Sequence, residues 1–370
     1  MSGIDVIQGG SPLAARWNYG HTLMVEERPK GSSAHGSAHW AFAPTPDCAA
    51  AAEKTRCLLC ALSSSSEKGT RSQQLPKKGT TMNDAEAARG DVVTSYKDAP
   101  TRTVTAGGVT FAYRDLGPRT GVPVVFITHL AAVLDNWDPR VIDGFAARHR
   151  VITFDNRGVG ASTGKTPDTI QAMAKDAVTF IRALGLEQVD IHGFSMGGMI
   201  AQVIVQTDPE LVRKLILTGT GPAGGEGIKN VTRLSHLDTV RALFTLQDPK
   251  QFLFFTRTAN GRRAGKEFLA RLKERTQDRD KAISPVAYLT QLKAIHRWGL
   301  ERPHDLSGIH QPVLVANGDH DRMVPTPNSA DMAQRLPNAE LVIYPDAGHG
   351  GIFQFYEKFV PTALEVLARP

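Results

Sequence analysis

The sequence predicts an α/β protein with a doubly wound, mostly parallel sheet and an inserted helical cap. Three observations support this prediction. Several short runs are almost entirely apolar and rich in β-branched residues, as the central strands of parallel sheets are. Amphipathic helical patterns separate most of these runs, which is the alternation of a doubly wound fold. One interval, residues 219–309, is too long for a simple crossover and has the apolar spacing of helices.

The predicted strands follow in chain order from a change of pattern near Thr101. Residues 101–105 and 109–113 alternate around Gly107 and Gly108, which predicts a hairpin of two antiparallel strands. The buried strands are expected at residues 123–128, 150–154, 188–191, 214–218, 312–316 and 340–344. Helical spacing lies between them, for instance at Met173, Ala177, Phe180, Ile181 and Leu184, and over residues 199–205.

The two ends of the chain differ in composition. Residues 1–95 lack apolar periodicity and are rich in Ser, Ala, Gly and Lys, which predicts a disordered N-terminal extension. Residues 96–370 are expected to form the folded domain, with its helical cap at about residues 219–309. Because Met82 is a second candidate start, it stays open whether residues 1–81 belong to the functional protein. Four residues of the extension resemble zinc ligands, but their spacing matches no common zinc finger, so we expect no metal site: His35, His39, Cys57 and Cys60.

Charge and composition limit the possible partners. The formal net charge is +6, but the basic residues cluster in residues 1–81 and 255–305 and form no continuous stripe, so we expect no nucleic-acid partner. All three cysteines precede residue 61, so the folded part needs no disulfide. No apolar run reaches the length of a membrane span, and the N-terminus lacks the pattern of a secretory signal. We expect a soluble, cytoplasmic protein with no membrane partner, and a homo-oligomer stays open.

One stretch predicts a strand, a tight turn and a helix around a serine. After the apolar run at 188–191, the chain reads Gly193-Phe194-Ser195-Met196-Gly197-Gly198. Ser195 would occupy the apex of a strained turn, and only small residues fit two positions before and after it. Such a turn exposes the hydroxyl at the sheet edge and leaves the backbone N–H of Met196 free to bind an oxyanion. This pattern predicts a nucleophile elbow.

A serine hydroxyl is a weak nucleophile, so it needs a base and an acid that orients the base. The loop after strand 312–316 contains Asp319, His320 and Asp321, and the loop after strand 340–344 contains His349. Both loops follow late parallel strands and therefore lie at the same sheet edge as the elbow. The order serine, aspartate, histidine is the one that this architecture uses.

These motifs resemble those of the α/β-hydrolase fold family, and the resemblance covers roughly residues 100–370. The family places its acid in G-x-x-D-x-x-V-P, found at 318–325, and its base in A-G-H-G, found at 347–350. The resemblance therefore implies that Asp321 is the acid and His349 the base, and that His192 and His320 are structural. The elbow is similar to those of esterases and of cofactor-free haloperoxidases or perhydrolases. A serine at its apex speaks against epoxide hydrolases and haloalkane dehalogenases, which use aspartate.

The resemblance also implies an oxyanion hole with two backbone donors. The second donor is expected from Leu130, because the family commonly has His-Gly where this chain has His129-Leu130. Leu130 can donate if its φ is negative. His129 is expected to brace the loop. Aromatic residues at the elbow and in the cap are candidates for lining a substrate pocket: Phe194, Phe252, Phe254, Phe255 and Trp298.

The sequence thus predicts a serine hydrolase that cleaves a small or medium carboxylic ester through an acyl-enzyme, with a small acyl compound as substrate. No metal or organic cofactor is expected. The glycines at 158–164 do not have dinucleotide-site spacing, and Val159 stands where a phosphate loop needs its first glycine. A ligand receptor with little turnover stays an alternative. Carbon–carbon bond hydrolysis, lactone opening, perhydrolysis and acyl transfer would use the same residues.

Overall fold

The structure is a computed structural model, and it describes residues 93–369. Nearly all of the predicted N-terminal extension, residues 1–95, therefore lies outside the described residues. The same holds for Met82 and for the four zinc-ligand candidates near the N-terminus.

The centre of the fold is one eight-stranded sheet with the order β1-β2-β4-β3-β5-β6-β7-β8. The first two strands form the predicted antiparallel hairpin, β2 pairs antiparallel with β4, and all the other pairs are parallel. The predicted fold class is therefore confirmed. The strands are β1 Arg102–Ala106, β2 Val109–Leu116, β3 Val124–Ile127, β4 Val151–Phe154, β5 Val189–Phe194, β6 Val212–Thr218, β7 Val313–Gly318 and β8 Ala339–Tyr344.

Helices cover both faces of this sheet. Within residues 93–369 the α-helices are α1 Pro139–Ala146, α2 Ile170–Ala183, α3 Met196–Thr207, α4 Val231–Thr245, α5 Pro249–Phe254, α6 Ala259–Arg271, α7 Pro285–Trp298, α8 Pro327–Arg335, α9 Gly351–Gln354 and α10 Tyr356–Ala368. Successive strand residues point to opposite faces, so β3 sends Val125 and Ile127 into the cluster with α2 and α3, and Val124 and Phe126 into the cluster with α1 and α10. The two clusters hold the strand ends in place on both sides.

One predicted central strand is an edge strand instead. The run at 340–344 looks like a buried strand because it is apolar, but β8 is the last strand of the sheet. Its Leu341 and Ile343 are partly exposed, whereas the four residues of β3 are all buried. The difference in exposure follows from the position of each strand in the sheet, and the apolar run itself does not encode that position.

Four helices, α4 to α7, lie in the chain between β6 and β7, and we call them the inserted helices. Each of the last three begins at a side-chain cap: Asp248 accepts from the amide of Lys250, Thr258 from that of Gly261, and Ser284 from that of Ala287. Among the helices of residues 93–369, none is long and apolar enough to cross a membrane.

Candidate active site

The turn between β5 and α3 has the geometry predicted for a nucleophile elbow. Ser195 has φ 57° and ψ −117°, a strained conformation for a residue with a side chain. Its amide donates to the carbonyl oxygen of Thr218 at 2.8 Å, which ties the turn to the end of β6. The chain then enters α3 at Met196, whose amide has no acceptor within the helix because it belongs to the first turn.

Close backbone contacts explain the glycines of this turn. A Cβ at Gly193 would lie 2.5 Å from the carbonyl oxygen of Gly197. At Gly197 it would overlap the carbonyl oxygen of Ile127, the last residue of β3. Because backbone atoms cannot move aside as flexible side chains do, neither position accepts even alanine without a shift. The elbow is therefore packed directly against the end of β3, where the loop starting at Thr128 begins.

The structure brings the three predicted side chains together in one hydrogen-bonded chain. Nε2 of His349 lies 2.9 Å from Oγ of Ser195, and Nδ1 of His349 lies 2.7 Å from Oδ2 of Asp321. The carboxylate can only accept, so Nδ1 carries the proton and Nε2 is free to accept from the serine hydroxyl. All three residues are buried. Oδ1 of Asp321 also accepts from the amides of Met323 and Val324 at 2.8 and 3.0 Å, so the carboxylate is fixed at both oxygens.

The loops that carry Asp321 and His349 are hydrogen-bonded to each other. Asp319, the aspartate not chosen as the acid, accepts from the amides of Asp346 and Ala347, both at 3.1 Å. The amide of His320 donates back to the carbonyl oxygen of Ala347 at 2.9 Å. These bonds link the ends of β7 and β8, and they set the distance between Asp321 and His349. Asp319 thus braces the backbone of the loop that carries His349.

Two other histidines singled out in the sequence, His320 and His192, lie outside this hydrogen-bonded chain of side chains. His320 is exposed and contacts the Asp319 side chain, with Nδ1 2.6 Å from Oδ1. His192 is fully buried on β5, and its Nε2 lies 3.0 Å from Oγ1 of Thr218. Burial lowers the pKa of His192 to about 3, so the ring stays neutral. Neither ring reaches Ser195.

The loop after β3 is held in an unusual conformation. Ala131 has φ 63°, whereas Leu130 does not fall in the positive-φ region, so the condition for its amide to serve as a donor is met. The amide of Leu130 donates to no other group in residues 93–369. His129 lies 2.8 Å, through Nδ1, from the carbonyl oxygen of Leu130. Burial lowers the pKa of His129 to about 3, so this neutral ring donates through Nδ1 and braces the loop.

Ser195 and His349 open into a mostly apolar cavity of about 210 Å³. One wall is Leu130 and Ala131, and α3 supplies Met199. The remaining wall comes largely from the inserted helices and the loop after β7, through Val231, Ser235, Thr239, Lys250, Leu253, Phe254, Tyr288, Ile295, Met323 and Val324. A cavity of this size and polarity suits a small, mostly apolar group.

Most of the aromatic residues predicted to line this cavity do not. Trp298 is buried in the core and donates through Nε1 to the carbonyl oxygen of Gly221, at 3.2 Å. Phe194 lies beneath the site, and its ring packs against those of His129 and His349 at 5.3 and 5.1 Å between centroids. Phe252 and Phe255 line a second cavity on the far side of His349 and Asp321. None of these four residues lines this cavity, and their place in a substrate pocket stays a prediction.

Of the aromatic candidates, Phe254 does line the cavity, and its carbonyl oxygen accepts from the amide of Gly350, the residue after His349, at 2.7 Å. Sequence reasoning missed Ser235, Thr239 and Tyr288. They lie on α4 and α7. Their spacing in the sequence indicates helices, but it does not indicate which helix face meets the cavity. Within residues 93–369 no group of three or more His, Cys, Asp or Glu side chains could hold a metal ion.

Comparison with known proteins agrees with this architecture. The sequence profile of the alpha/beta hydrolase fold matches residues 122–356. A protein of Mycobacterium tuberculosis named as a non-heme bromoperoxidase is 30% identical over 272 residues, covering 70% of this chain and 98% of that protein. A protein of Caulobacter sp. strain K31, named as a carbamate hydrolase, is 32% identical over 63% of this chain and 85% of its own.

A solved structure extends the agreement to three dimensions. An alpha/beta hydrolase fold protein from Chitinophaga pinensis is 38% identical, with a TM-score of 0.71, and the match covers 75% of this chain and 100% of that one. The profile match spans more than half of the 370 residues. The chain therefore belongs to the α/β-hydrolase fold family and is an enzyme of the hydrolase class.

Proposed function

We propose that this protein is a serine hydrolase that cleaves a small carboxylic ester, or a related acyl compound, through a covalent acyl-enzyme. One observation carries the proposal: Asp321, His349 and Ser195 form a continuous hydrogen-bonded chain that ends in an apolar cavity. A serine held this way has a base for its proton and space for a substrate carbonyl beside it.

In the first half of the reaction, Ser195 Oγ attacks the carbonyl carbon of the substrate. His349 Nε2 takes the hydroxyl proton, and Asp321 stabilises the imidazolium that forms, because its carboxylate lies 2.7 Å from Nδ1. The tetrahedral intermediate collapses when His349 gives the proton to the leaving alcohol. The acyl group is then bonded to Ser195.

The negative oxygen of the intermediate would be bound by the backbone amides of Leu130 and Met196. The Met196 amide lies at the start of α3, where the helix dipole favours a negative charge. The Leu130 amide has no acceptor of its own in residues 93–369, so it is free for this role. The overlap that a Cβ at Gly197 would make with Ile127 shows how closely the elbow approaches this loop.

In the second half, water attacks the acyl-enzyme and His349 again acts as the base. The acid product leaves and Ser195 regains its proton, so the cycle needs no added electron carrier. The cavity of about 210 Å³ and its lining by Met199, Leu253 and Ile295 favour a short apolar acyl group.

The direct test is turnover of p-nitrophenyl acetate, butyrate and octanoate by the wild type and by Ser195→Ala. We expect release of p-nitrophenol from the two short esters, weaker release from octanoate, and no release above background with the alanine variant. Equal rates for both proteins would show that Ser195 is not the nucleophile. A wild type that binds these esters without turning them over would favour the receptor alternative.

A second candidate, perhydrolysis, is favoured by the relative named as a non-heme bromoperoxidase, which this chain matches over 98% of its length. Here hydrogen peroxide replaces water: one of its oxygens bonds to the acyl carbon while His349 takes its proton. The bond from that carbon to Ser195 Oγ then breaks, Oγ takes the proton from His349, and a peracid is released. The released peracid would itself be the oxidant of bromide. We expect bromination of a phenol to require both a short carboxylic acid and peroxide, and to be lost in Ser195→Ala; bromination that persists in the variant would remove this candidate.

A further inference from the structure

The peptide unit that joins Leu130 to Ala131 is held from both sides. Its carbonyl oxygen accepts from Nδ1 of His129 at 2.8 Å. Its N–H donates to Oε1 of Gln291 at 2.8 Å, across 160 positions of sequence. The orientation of the Gln291 amide is set by this bond, because a backbone N–H needs an oxygen opposite it. Since Ala131 has φ 63°, the two bonds hold a conformation that alanine does not favour.

Gln291 lies on α7, one of the inserted helices. It is completely buried, while Tyr288 and Ile295, one turn to either side, line the cavity. The face of α7 that forms the cavity wall therefore also reaches the loop after β3. Any shift of α7 would move the acceptor of the Ala131 amide.

Burial of the polar Gln291 side chain costs free energy of folding, which suggests that its bond to the Ala131 amide has a role beyond stability. Its Nε2 is buried and has no partner within residues 93–369. An unsatisfied amide in the interior costs about 1–3 kcal/mol, so a leucine or methionine of similar volume would fill the space at lower cost. The bond to Ala131 is the one polar contact of this side chain among the described residues.

We propose that Gln291 is a positioning residue: it fixes the peptide after Leu130 so that the Leu130 amide points at the substrate oxyanion, and it thereby couples α7 to the catalytic step. The inference rests on the proposed serine hydrolase function. Gln291 does not touch the reacting atoms. It acts through the backbone of Leu130 and Ala131, and its loss should affect the transition state more than substrate binding.

The test compares Gln291→Met, which removes the acceptor, with Gln291→Glu, which keeps a carboxyl oxygen at the same place whether ionised or protonated. Leu292→Val, at a buried neighbouring position of α7 outside the cavity wall, controls for loss of packing. For p-nitrophenyl acetate we expect kcat to fall roughly tenfold or more in Gln291→Met with KM within about twofold. Gln291→Glu should regain most of the kcat, and Leu292→Val should keep it.

Hydrogen–deuterium exchange of the segment 129–132 gives a readout that does not depend on turnover. We expect faster exchange in Gln291→Met and wild-type exchange in Gln291→Glu and Leu292→Val. Unchanged exchange and kcat in Gln291→Met would overturn the inference, as would equal losses in the Met and Glu variants. A wild type without ester turnover would instead overturn the proposed function, and with it the catalytic role of Gln291, whatever the exchange shows.

Discussion

The two halves of the candidate site are stabilised in different ways. The elbow is built from residues adjacent in sequence, and its shape follows from the ends of β5 and α3 and from close contacts at Gly193 and Gly197. The loop after β3 is held by side-chain hydrogen bonds instead. It has leucine where a glycine is common in the family, and it takes its shape from His129 and from Gln291 on an inserted helix.

The difference shows where the site can vary. The elbow tolerates no added atom at Gly193 or Gly197, because their neighbours are backbone atoms at the start of α3 and at the end of β3. The loop and the cavity depend on side chains from α4, α5 and α7, which lie outside the sheet. If the proposed function holds, the placement of the nucleophile is a property of the core fold, whereas the oxyanion geometry and the substrate fit depend on the inserted helices.

The largest expected effect lies in the hydrogen-bonded chain. His349→Ala removes the proposed base, so kcat for p-nitrophenyl acetate should fall roughly 10⁴-fold or more. His320→Ala is the matched control, because this exposed histidine lies in the neighbouring loop and does not contact Ser195. Its kcat should stay within about twofold of the wild type. A comparable drop in both variants would mean that the base has been assigned to the wrong histidine.

Gly197→Ala tests the rigidity of the elbow. The new Cβ would overlap the carbonyl oxygen of Ile127, so we expect a loss of stability of about 3 kcal/mol or more and a loss of activity of about 100-fold. Gly308→Ala is the control, since a Cβ there meets no atom within 4 Å. Thermal unfolding and ester turnover check both variants. An active, stable Gly197→Ala would show that the elbow has room for a Cβ at this position.

Acid should lower the free energy of unfolding, because the elbow strand and the loop after β3 each contain a buried neutral histidine. His192 and His129 have pKa values lowered to about 3 by burial, against about 6.5 in an unfolded chain. The unfolded state binds more protons between these values, so stability is present above about pH 6.5 and is lost as the pH falls towards 3. At pH 4.5 each histidine should account for about 2–3 kcal/mol of the loss.

Urea denaturation at pH 7 and pH 4.5 measures this loss. His192→Phe keeps an aromatic ring among Phe126, Trp137 and Phe145 and removes the titrating group. The variant should lose less stability on acidification than the wild type does. The same pH dependence in both proteins would rule out His192 as a source of it.

The smallest effect is expected at Trp298, which lies at the end of α7 but not in the cavity wall. Trp298→Phe removes the bond to Gly221 and some buried volume, so stability should fall by about 1–2 kcal/mol. The KM for short esters should stay within about twofold of the wild-type value. A clear rise in KM without a loss of stability would place Trp298 in the substrate site after all.

The sheet and the triad candidates could be predicted because their signals are local. Apolar runs mark β3 to β7, and a short motif follows each of the strands that carry Ser195, Asp321 and His349. Parallel strands bring such motifs to one edge without any further information. The edge position of β8 could not be predicted in the same way, because its sequence resembles that of a central strand.

The cavity wall and the support of the loop could not be predicted. Which face of α4 or α7 meets the cavity depends on how the inserted helices pack, so Trp298 was expected in the wall and Tyr288 was not. Gln291 has no motif around it, and it becomes informative only through a contact with Ala131. Long-range contacts of this kind leave no periodic pattern in the sequence.

The central claim, that Ser195 is an activated acyl nucleophile, is tested most directly by mapping a fluorophosphonate adduct. After brief labelling and digestion, peptide mass spectrometry should find one adduct per chain, on Ser195, in the wild type and in Ser307→Ala, a control at an exposed serine. Ser195→Ala and His349→Ala should remain largely unlabelled. An adduct on another residue, or equal labelling of Ser195→Ala, would contradict the account.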